Sequence, residues 1–375
     1  MKRKLSLIAA VWLALLCTMP AAVAEDRYLR DDTLFTTLYD CDAMPDGGVA
    51  LTLSQRDREN HSEGENDTVG LLVCLDAAGK PRWEVSERKP GQNIYASLKT
   101  FEDGTLLAMY HHYGKDIPDD WTLHRFTADG ELLDSLALAA GSVMMQRATK
   151  DGMLLVTLEE KRDEADALPL RFTLYDADLK VLWELRDEKR FAANSMPLLT
   201  GFGTALLGAS RGNGPAMLWL LDDTGKIVWE KELAAEPIYH RSLALDEDGN
   251  LLLITVGRDK ATNQPVAPSS VTCYGADGSE LWRTWFALPG DGKPMRVADS
   301  LVTKDGYRFL CTAQTDTRLR LIAVSTQGEV LSSVDCTIEE GGYQCAEMVM
   351  LNGVLHAAVE LTRGGKEIVA LQSLR

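Results

Sequence analysis

Polar and aromatic side chains recur along this chain about eight or nine residues before each of a series of turns, most of which are Asp-Gly. A histidine at this position would act as a general acid or base, because an unperturbed imidazole titrates near neutral pH. Arginines beside it would hold a carboxylate, sulfate or phosphate through paired N–H donors. The candidate binding residues are Tyr95, Asn194, Tyr239, His240, Arg241, Arg296, Tyr343 and Gln344.

The same residues have a second interpretation, in which they satisfy one another's hydrogen bonds and line a water-filled channel. The sequence contains no P-loop, GxGxxG or HExxH motif, which favours binding over catalysis. We predict no cofactor and no metal. The adjacent His111 and His112 lie near three aspartates, but neighbouring residues of a strand point to opposite faces, so the two rings would not converge on an ion.

The elements that must position these residues form a repeat of about fifty residues. Each copy has an apolar run, an Asp/Gly turn and a second apolar run that often ends in tryptophan, as in LWLLDDTGKIVWEKEL at 218–233. A second hairpin, such as FEDGTLLAMY at 101–110, lies between successive copies. Two hairpins per repeat make four antiparallel strands, which is one blade of a β-propeller. We therefore predict an all-β propeller of seven four-stranded blades over 25–375, with an eighth, degenerate blade as the alternative.

The last repeat lacks its fourth strand, and an unpaired sheet edge is a liability. We predict that the segment RYLRDDTLF at 27–35 supplies this strand and closes the ring in the last blade. With the strands of a blade lettered A to D, the A–B and C–D turns share one face. The B–C and D–A connections form the other, which we call the variable-loop face, where binding is expected. Its long connections are 57–67, 111–120, 160–169, 258–268 and 289–296.

A tryptophan follows the C–D turn by about four residues in four of the repeats. A large flat ring at this place would dock against the neighbouring blade. The residues are Trp83, Trp183, Trp229 and Trp282, with Leu133 and Leu331 at the same place in two further copies.

The phrases LDDTGKIVWE at 221–230 and LDAAGKPRWE at 75–84 resemble the tryptophan-docking repeat of PQQ-like (quinoprotein-type, WD40-like) propellers. That superfamily contains quinoprotein dehydrogenases and non-enzymatic outer-membrane assembly lipoproteins. The dehydrogenases use an adjacent-cysteine disulfide over the quinone and a Glu/Asn/Asp set around calcium. This sequence has no Cys-Cys pair and no recognisable set of that kind. The resemblance therefore implies a propeller closer to the binding and scaffold members than to the enzymes.

Residues 1–24 have the pattern of a secretory signal peptide. Lys2, Arg3 and Lys4 precede an apolar segment from Leu5 to Leu16, and Ala22-Val23-Ala24 is a small-x-small cleavage site. Leucines precede Cys17 where a lipidation site requires small residues, so we do not expect a lipid anchor. No later stretch is long and apolar enough to be a transmembrane helix. The sequence predicts a secreted or extracytoplasmic protein, cleaved after Ala24.

The formal net charge of −17 argues against nucleic-acid and anionic-lipid partners, because both require a basic surface. Six cysteines follow the signal peptide, most of them within apolar strand patterns where a free thiol packs as a small hydrophobe. A disulfide remains open as an alternative, with Cys336 and Cys345 as the best-placed pair. We predict a monomeric exported scaffold that binds an envelope protein, peptide or glycan. The alternative is an enzyme acting on a sugar-like or anionic substrate at the channel mouth.

Overall fold

The structure is a computed structural model in which every regular element of the described residues is a β-strand. No helix in this part of the chain has the length and apolarity needed to cross a bilayer. The described residues are 26–29, 34–57, 67–138, 143–149, 151–158, 170–187, 204–209, 216–222, 224, 226–233, 238–245, 248–257, 269–286, 295–313, 318–337, 343–363 and 366–374.

The first three sheets, blades 1 to 3, are four-stranded antiparallel meanders in chain order. Blade 1 consists of β2 (Leu34–Ala43), β3 (Val49–Asp57), β4 (Val69–Leu75) and β5 (Pro81–Glu87). Blade 2 consists of β6 (Gln92–Thr100), β7 (Leu106–Gly114), β8 (Ile117–Phe126) and β9 (Leu132–Ala137). Blade 3 consists of β10 (Val143–Ala148), β11 (Met153–Leu158), β12 (Leu170–Tyr175) and β13 (Val181–Asp187).

Blades 4 to 6 continue the same order, although blade 4 has three strands among the described residues. Blade 4 consists of β14 (Thr204–Ala209), β15 (Ala216–Leu221) and β16 (Ile227–Glu232). Blade 5 consists of β17 (Ile238–Leu245), β18 (Leu251–Gly257), β19 (Ser269–Tyr274) and β20 (Glu280–Phe286). Blade 6 consists of β21 (Met295–Thr303), β22 (Gly306–Ala313), β23 (Arg318–Val324) and β24 (Val330–Thr337).

Blade 7 joins the two ends of the described chain. Its first three strands are β25 (Tyr343–Leu351), β26 (Val354–Arg363) and β27 (Lys366–Ser373), and its fourth is β1 (Asp26–Leu29), antiparallel to β27. The predicted closure by an N-terminal strand is therefore confirmed. Its predicted bounds, 27–35, are wrong at the C-terminal end, because Leu34 and Phe35 already belong to β2 and pair with β3.

Seven apolar clusters lie between consecutive blades and hold them together. Each is built from two neighbouring blades, and one joins blade 7 to blade 1 through residues such as Leu371 and Leu53. The second strand of a blade is buried on both faces, so its central residues are mostly apolar: Leu106 and Ala108 face blade 1, whereas Leu107 and Met109 face blade 3. Burial on both faces removes the alternation typical of a half-exposed strand. The predicted β-propeller is confirmed, and the described residues form seven sheets.

The tryptophans of the repeat lie against the C–D turn of the next blade. Trp83 of blade 1 donates its indole N–H to the carbonyl of Ala128 in blade 2, at 2.9 Å. A Cβ atom on Gly130 of the same turn would lie 2.6 Å from the Trp83 ring, and Gly130 has φ +82°. Blades 5 and 6 repeat this arrangement, with Trp282 donating to the carbonyl of Thr326 at 2.9 Å and a Cβ on Gly328 falling 2.6 Å from its ring. The turn glycine is therefore required both for its backbone conformation and for the space that the indole fills.

The remaining two tryptophans are also blade contacts, whereas the prediction that Leu133 and Leu331 occupy the same place is wrong. Trp229 packs against Gly278 of blade 5, and Trp183 is buried between blades 3 and 4. The register places Asp134 and Ser332 at the tryptophan position, while Leu133 and Leu331 lie one residue earlier and are 49% and 56% exposed. The C–D turn of blade 3 carries Leu179 at φ 60° instead of glycine, and blade 7 has no C–D turn because its last strand comes from the other end of the described chain. Tryptophan is thus absent where the next blade offers no glycine turn.

Candidate functional site

The predicted binding residues within the described chain lie on the first strands of their blades, and first strands of neighbouring blades contact one another. Tyr239, His240 and Arg241 are in β17, Arg296 is in β21, and Tyr343 and Gln344 are in β25. The structure describes the backbone of these six positions and not their side chains, while Asn194 lies outside the described residues. Their grouping at a channel mouth therefore stays a prediction.

Tyr95 is described fully, and it is not at an open mouth. Its side chain is completely buried between blades 1 and 2, with its ring 5.4 Å from that of Tyr110 and 6.5 Å from that of Phe126. Burial raises the pKa of Tyr95 well above its usual value, so the phenol stays protonated. The physical reason is that both faces of a first strand can be covered by neighbouring blades, so its position before the turn does not ensure access to solvent.

A β-bulge interrupts six of the first strands at equivalent positions. The register shifts lie at Leu38/Asp40, Tyr95/Ser97, Val143/Met145, His240/Ser242, Val297/Asp299 and Tyr343/Ala346. A bulge inserts one residue into the ladder, increases the local twist and changes the direction of the following side chains. Arg241 is itself the inserted residue in β17, so the sequence count from the turn cannot specify where its side chain points.

Carboxylates connect the first strands of neighbouring blades. Asp40 of blade 1 accepts hydrogen bonds from the amide of Leu98 at 2.9 Å and the hydroxyl of Ser97 at 3.0 Å, both in blade 2. Asp299 of blade 6 accepts one from the amide of Met348 in blade 7 at 2.6 Å. A first strand is the edge of its sheet and leaves amides without a ladder partner, and buried amides need an acceptor. The carboxylates supply that acceptor between blades.

The Cys41 thiol lies among these carboxylates. Burial, followed by the charges of Glu347, Asp40 and Asp299, raises its pKa well above the usual value. A protonated thiol is a poor nucleophile and a poor metal ligand. No group of three or more His, Cys, Asp or Glu side chains within the described residues is arranged to hold a metal ion.

None of the four cysteines whose side chains are described forms a disulfide. Cys41, Cys74, Cys273 and Cys311 are free, and the last three are buried. The side chains of Cys336 and Cys345 lie outside the described part, so the predicted pair stays a prediction.

Blade 2 carries a two-stranded extension on the variable-loop face, which we call the arm (residues 111–121). The sequence predicts a long connection at 111–120, but the connection itself is a two-residue turn, because β7 and β8 continue until Gly114 pairs with Ile117. Asp116 in the turn has φ 67°, and the Ile117 side chain covers Gly91, where an added Cβ would fall 2.8 Å from its Cδ1. The arm is therefore an ordered hairpin packed onto the D–A connection beneath it.

Three aromatic rings are stacked on one face of the arm. The ring of His111 is parallel to that of Trp121, with centroids 3.6 Å apart and an interplanar angle of 8°. It also stacks on Tyr113 at 4.3 Å and 19°. His111 and Trp121 are directly paired across β7 and β8, and Tyr113 follows His111 by two residues on the same face. All three side chains are partly exposed, so the stack is an aromatic surface within a rigid hairpin.

The histidines at the base of the arm point to opposite faces, as the strand pattern predicts. His112 Nε2 lies 2.7 Å from the carbonyl oxygen of Pro90, whereas His111 belongs to the aromatic stack. His111 Nε2 is 3.7 Å from Oδ1 of Asp119, too far for a hydrogen bond. Burial is the main cause that lowers the pKa of His111, so the ring is neutral at neutral pH.

His124, on the opposite face of β8, makes stability depend on pH. Its Nδ1 is 2.9 Å from the hydroxyl of Ser135, and burial lowers its pKa to about 4 from the ordinary value of 6.5. The unfolded chain therefore binds a proton at His124 between pH 6.5 and 4 while the folded chain does not, so stability should fall as pH decreases through this window. After allowance for solvent screening we expect a loss of about 1–2 kcal/mol from this residue.

Chemical unfolding of the wild-type chain and His124→Gln at pH 7 and at pH 4.5 measures this contribution. The carboxylates titrate in both chains, so the difference between them isolates the imidazole. The wild-type chain should lose more stability than the variant on acidification. Equal losses would show that His124 is protonated in the folded state as readily as in the unfolded state.

Seven sheets arranged in a ring define the class of protein as a β-propeller, and solved structures agree. The β-propeller domain of the Trilobed protease from Pyrococcus furiosus matches with a TM-score of 0.55 at 9% identity, over 90% of this chain and 95% of that one. The Atg21 structure titled "Complex of KlAtg21 with coiled-coil of AgAtg16" matches with a TM-score of 0.54 at 10% identity, over 88% and 95%. At these identities the similarity shows the fold alone. No family model matches the sequence, and no curated protein matches it.

Proposed function

We propose that this chain is an exported, non-enzymatic binding propeller that contacts a cell-envelope protein, peptide or glycan through its variable-loop face. The observation that carries the proposal is the arm of blade 2, where Trp121, His111 and Tyr113 form a stacked, partly exposed surface. Tryptophan and tyrosine dominate the energetics of interfaces because they bring a large, rigid contact area with few rotatable bonds. A hairpin that is already ordered loses little conformational entropy when a partner binds.

Tryptophans docked on glycine turns support the resemblance to PQQ-like propellers. The contacts of Trp83 with Gly130 and of Trp282 with Gly328 are made within the repeat that carries this resemblance. The free, buried Cys74 and Cys273 do not form the adjacent-cysteine pair of the dehydrogenases. These features favour the binding and scaffold members as the nearer functional comparison.

Capture from envelope extract by the mature chain, residues 25–375, tests the proposal. Trp121→Ala should lose captured material at least tenfold relative to wild type, because a buried interface tryptophan contributes about 2 kcal/mol or more. Trp285→Ala is the matched control: Trp285 is 55% exposed on the outer strand of blade 5, away from the arm. It should capture as wild type does.

Equal capture by Trp121→Ala and Trp285→Ala, in chains whose thermal unfolding shows that both are folded, would contradict a role for the arm. Turnover of a sugar-like or anionic substrate by the purified chain without a partner would instead favour the enzymatic alternative. His240→Ala would then be the first variant to assay.

A further inference from the structure

The face of the arm that carries the stacked rings also carries negative charge. Asp119 lies two residues before Trp121 in β8, so the two side chains share a face, and burial followed by the charge of Asp119 raises the pKa of Tyr113. Asp119 is 58% exposed, and its ion-pair partner among the described residues is His111. Because the pKa of His111 is lowered, that partner is uncharged at neutral pH and leaves the carboxylate uncompensated.

Acidic residues outnumber basic ones in the arm, which carries Asp116, Asp119 and Asp120 against Lys115. Asp116 and Lys115 are exposed in the turn, and Asp120 lies on the other face, where it pairs with Lys89 at 3.8 Å. The whole chain carries a formal charge of −17. An anionic partner would be repelled by this field, while a cationic one would be attracted to it before contact.

We propose that the arm binds a basic peptide segment, with a lysine or arginine side chain placed against the aromatic stack and paired with Asp119. This inference rests on the proposed binding function and names the chemistry of the partner. A cation over an aromatic face is stabilised by the ring quadrupole, and tryptophan is the best such ring. A guanidinium or ammonium group satisfies the aromatic and the acidic parts of the surface together, whereas a neutral sugar would use the rings and leave the carboxylate without a counter-charge.

Titration of the folded mature chain with a synthetic basic octapeptide tests this chemistry, with binding followed by calorimetry. The probe contains alternating glycine and arginine, and the comparison peptide replaces each arginine by glutamate. The arginine peptide should bind and the glutamate peptide should not. Asp119→Asn should weaken binding about tenfold, and Trp121→Ala should weaken it further.

Asp129→Asn is the matched control for charge. Asp129 is 86% exposed in the C–D turn of blade 2, on the opposite face of the ring, and its replacement removes the same unit of charge. Binding within twofold of wild type is expected for this variant. Equal weakening by Asp119→Asn and Asp129→Asn would overturn the proposal, because it would show attraction by the overall charge alone.

Different results would contradict the binding function of the arm and the inference that its partner is a basic peptide. If envelope capture depends on Trp121 while the arginine peptide does not bind, the arm is an interaction surface for another chemistry and the basic-segment inference is wrong. Binding of a neutral oligosaccharide that is lost in Trp121→Ala and retained in Asp119→Asn would likewise overturn it in favour of a glycan.

Discussion

Replacing Trp83 by alanine is expected to lower the free energy of unfolding by about 3 kcal/mol. The indole fills the space above Gly130 and donates a hydrogen bond to Ala128, both in the next blade. Its removal opens a cavity between blades 1 and 2 and leaves the carbonyl of Ala128 without this donor. The backbone cannot close the gap without moving one blade relative to the other. Chemical unfolding of the mature chain measures the loss.

Leu133→Ala is the control for this experiment, because Leu133 lies on the outer strand of the next blade and its replacement removes an apolar side chain there. It is 49% exposed. We expect a loss of less than about 1 kcal/mol. Similar losses for the two variants would show that the tryptophan position contributes only its apolar area and that the fit to the glycine turn is energetically unimportant.

Replacing Asp40 by alanine is expected to cost about 3 kcal/mol of unfolding free energy. The carboxylate accepts hydrogen bonds from the amide of Leu98 and the hydroxyl of Ser97, and both residues are buried. Alanine would leave these donors without their acceptor in a site that is poorly accessible to water. Chemical unfolding again gives the value, and amide exchange at Leu98 should become faster in the variant.

Asp40→Asn separates the hydrogen bond from the charge, because the amide oxygen still accepts a hydrogen bond. We expect it to lose less than the alanine variant. The surface change Asp129→Ala should lose under about 0.5 kcal/mol. If Asp40→Ala is as mild as Asp129→Ala, water replaces the carboxylate and the bridge between blades contributes little.

The blade architecture could be predicted because its determinants are local in sequence. An apolar run, an Asp-Gly turn and a second run specify a hairpin whatever surrounds it, and the repetition of FEDGTLLAMY-like phrases indicates the number of hairpins. The closing strand could be predicted by elimination, but its end at Leu29 could not, because no turn signal separates it from Leu34.

The positions of side chains could not be predicted as well from the sequence, since they depend on contacts between blades. Its distance from the turn predicts Tyr95 at a channel mouth, yet the side chain is buried between blades 1 and 2. The sequence predicts a connection at 111–120 because these residues separate two hairpins, whereas β7 and β8 continue through them and pair His111 with Trp121. The carboxylate bridge of Asp40 joins residues on different blades, and no sequence spacing specifies that distance.

The pairing of β1 with β27 has a consequence for how the protein is made. These strands are separated by more than 330 residues, so the blade that they share cannot assemble until the chain has been synthesised through β27. Until then β1 has no strand to pair with, and the face of blade 1 that packs on blade 7 stays uncovered. Such late, long-range pairing slows folding and prolongs exposure to aggregation. A chain truncated before β27 should therefore be a target for proteolysis even though most of its blades can form.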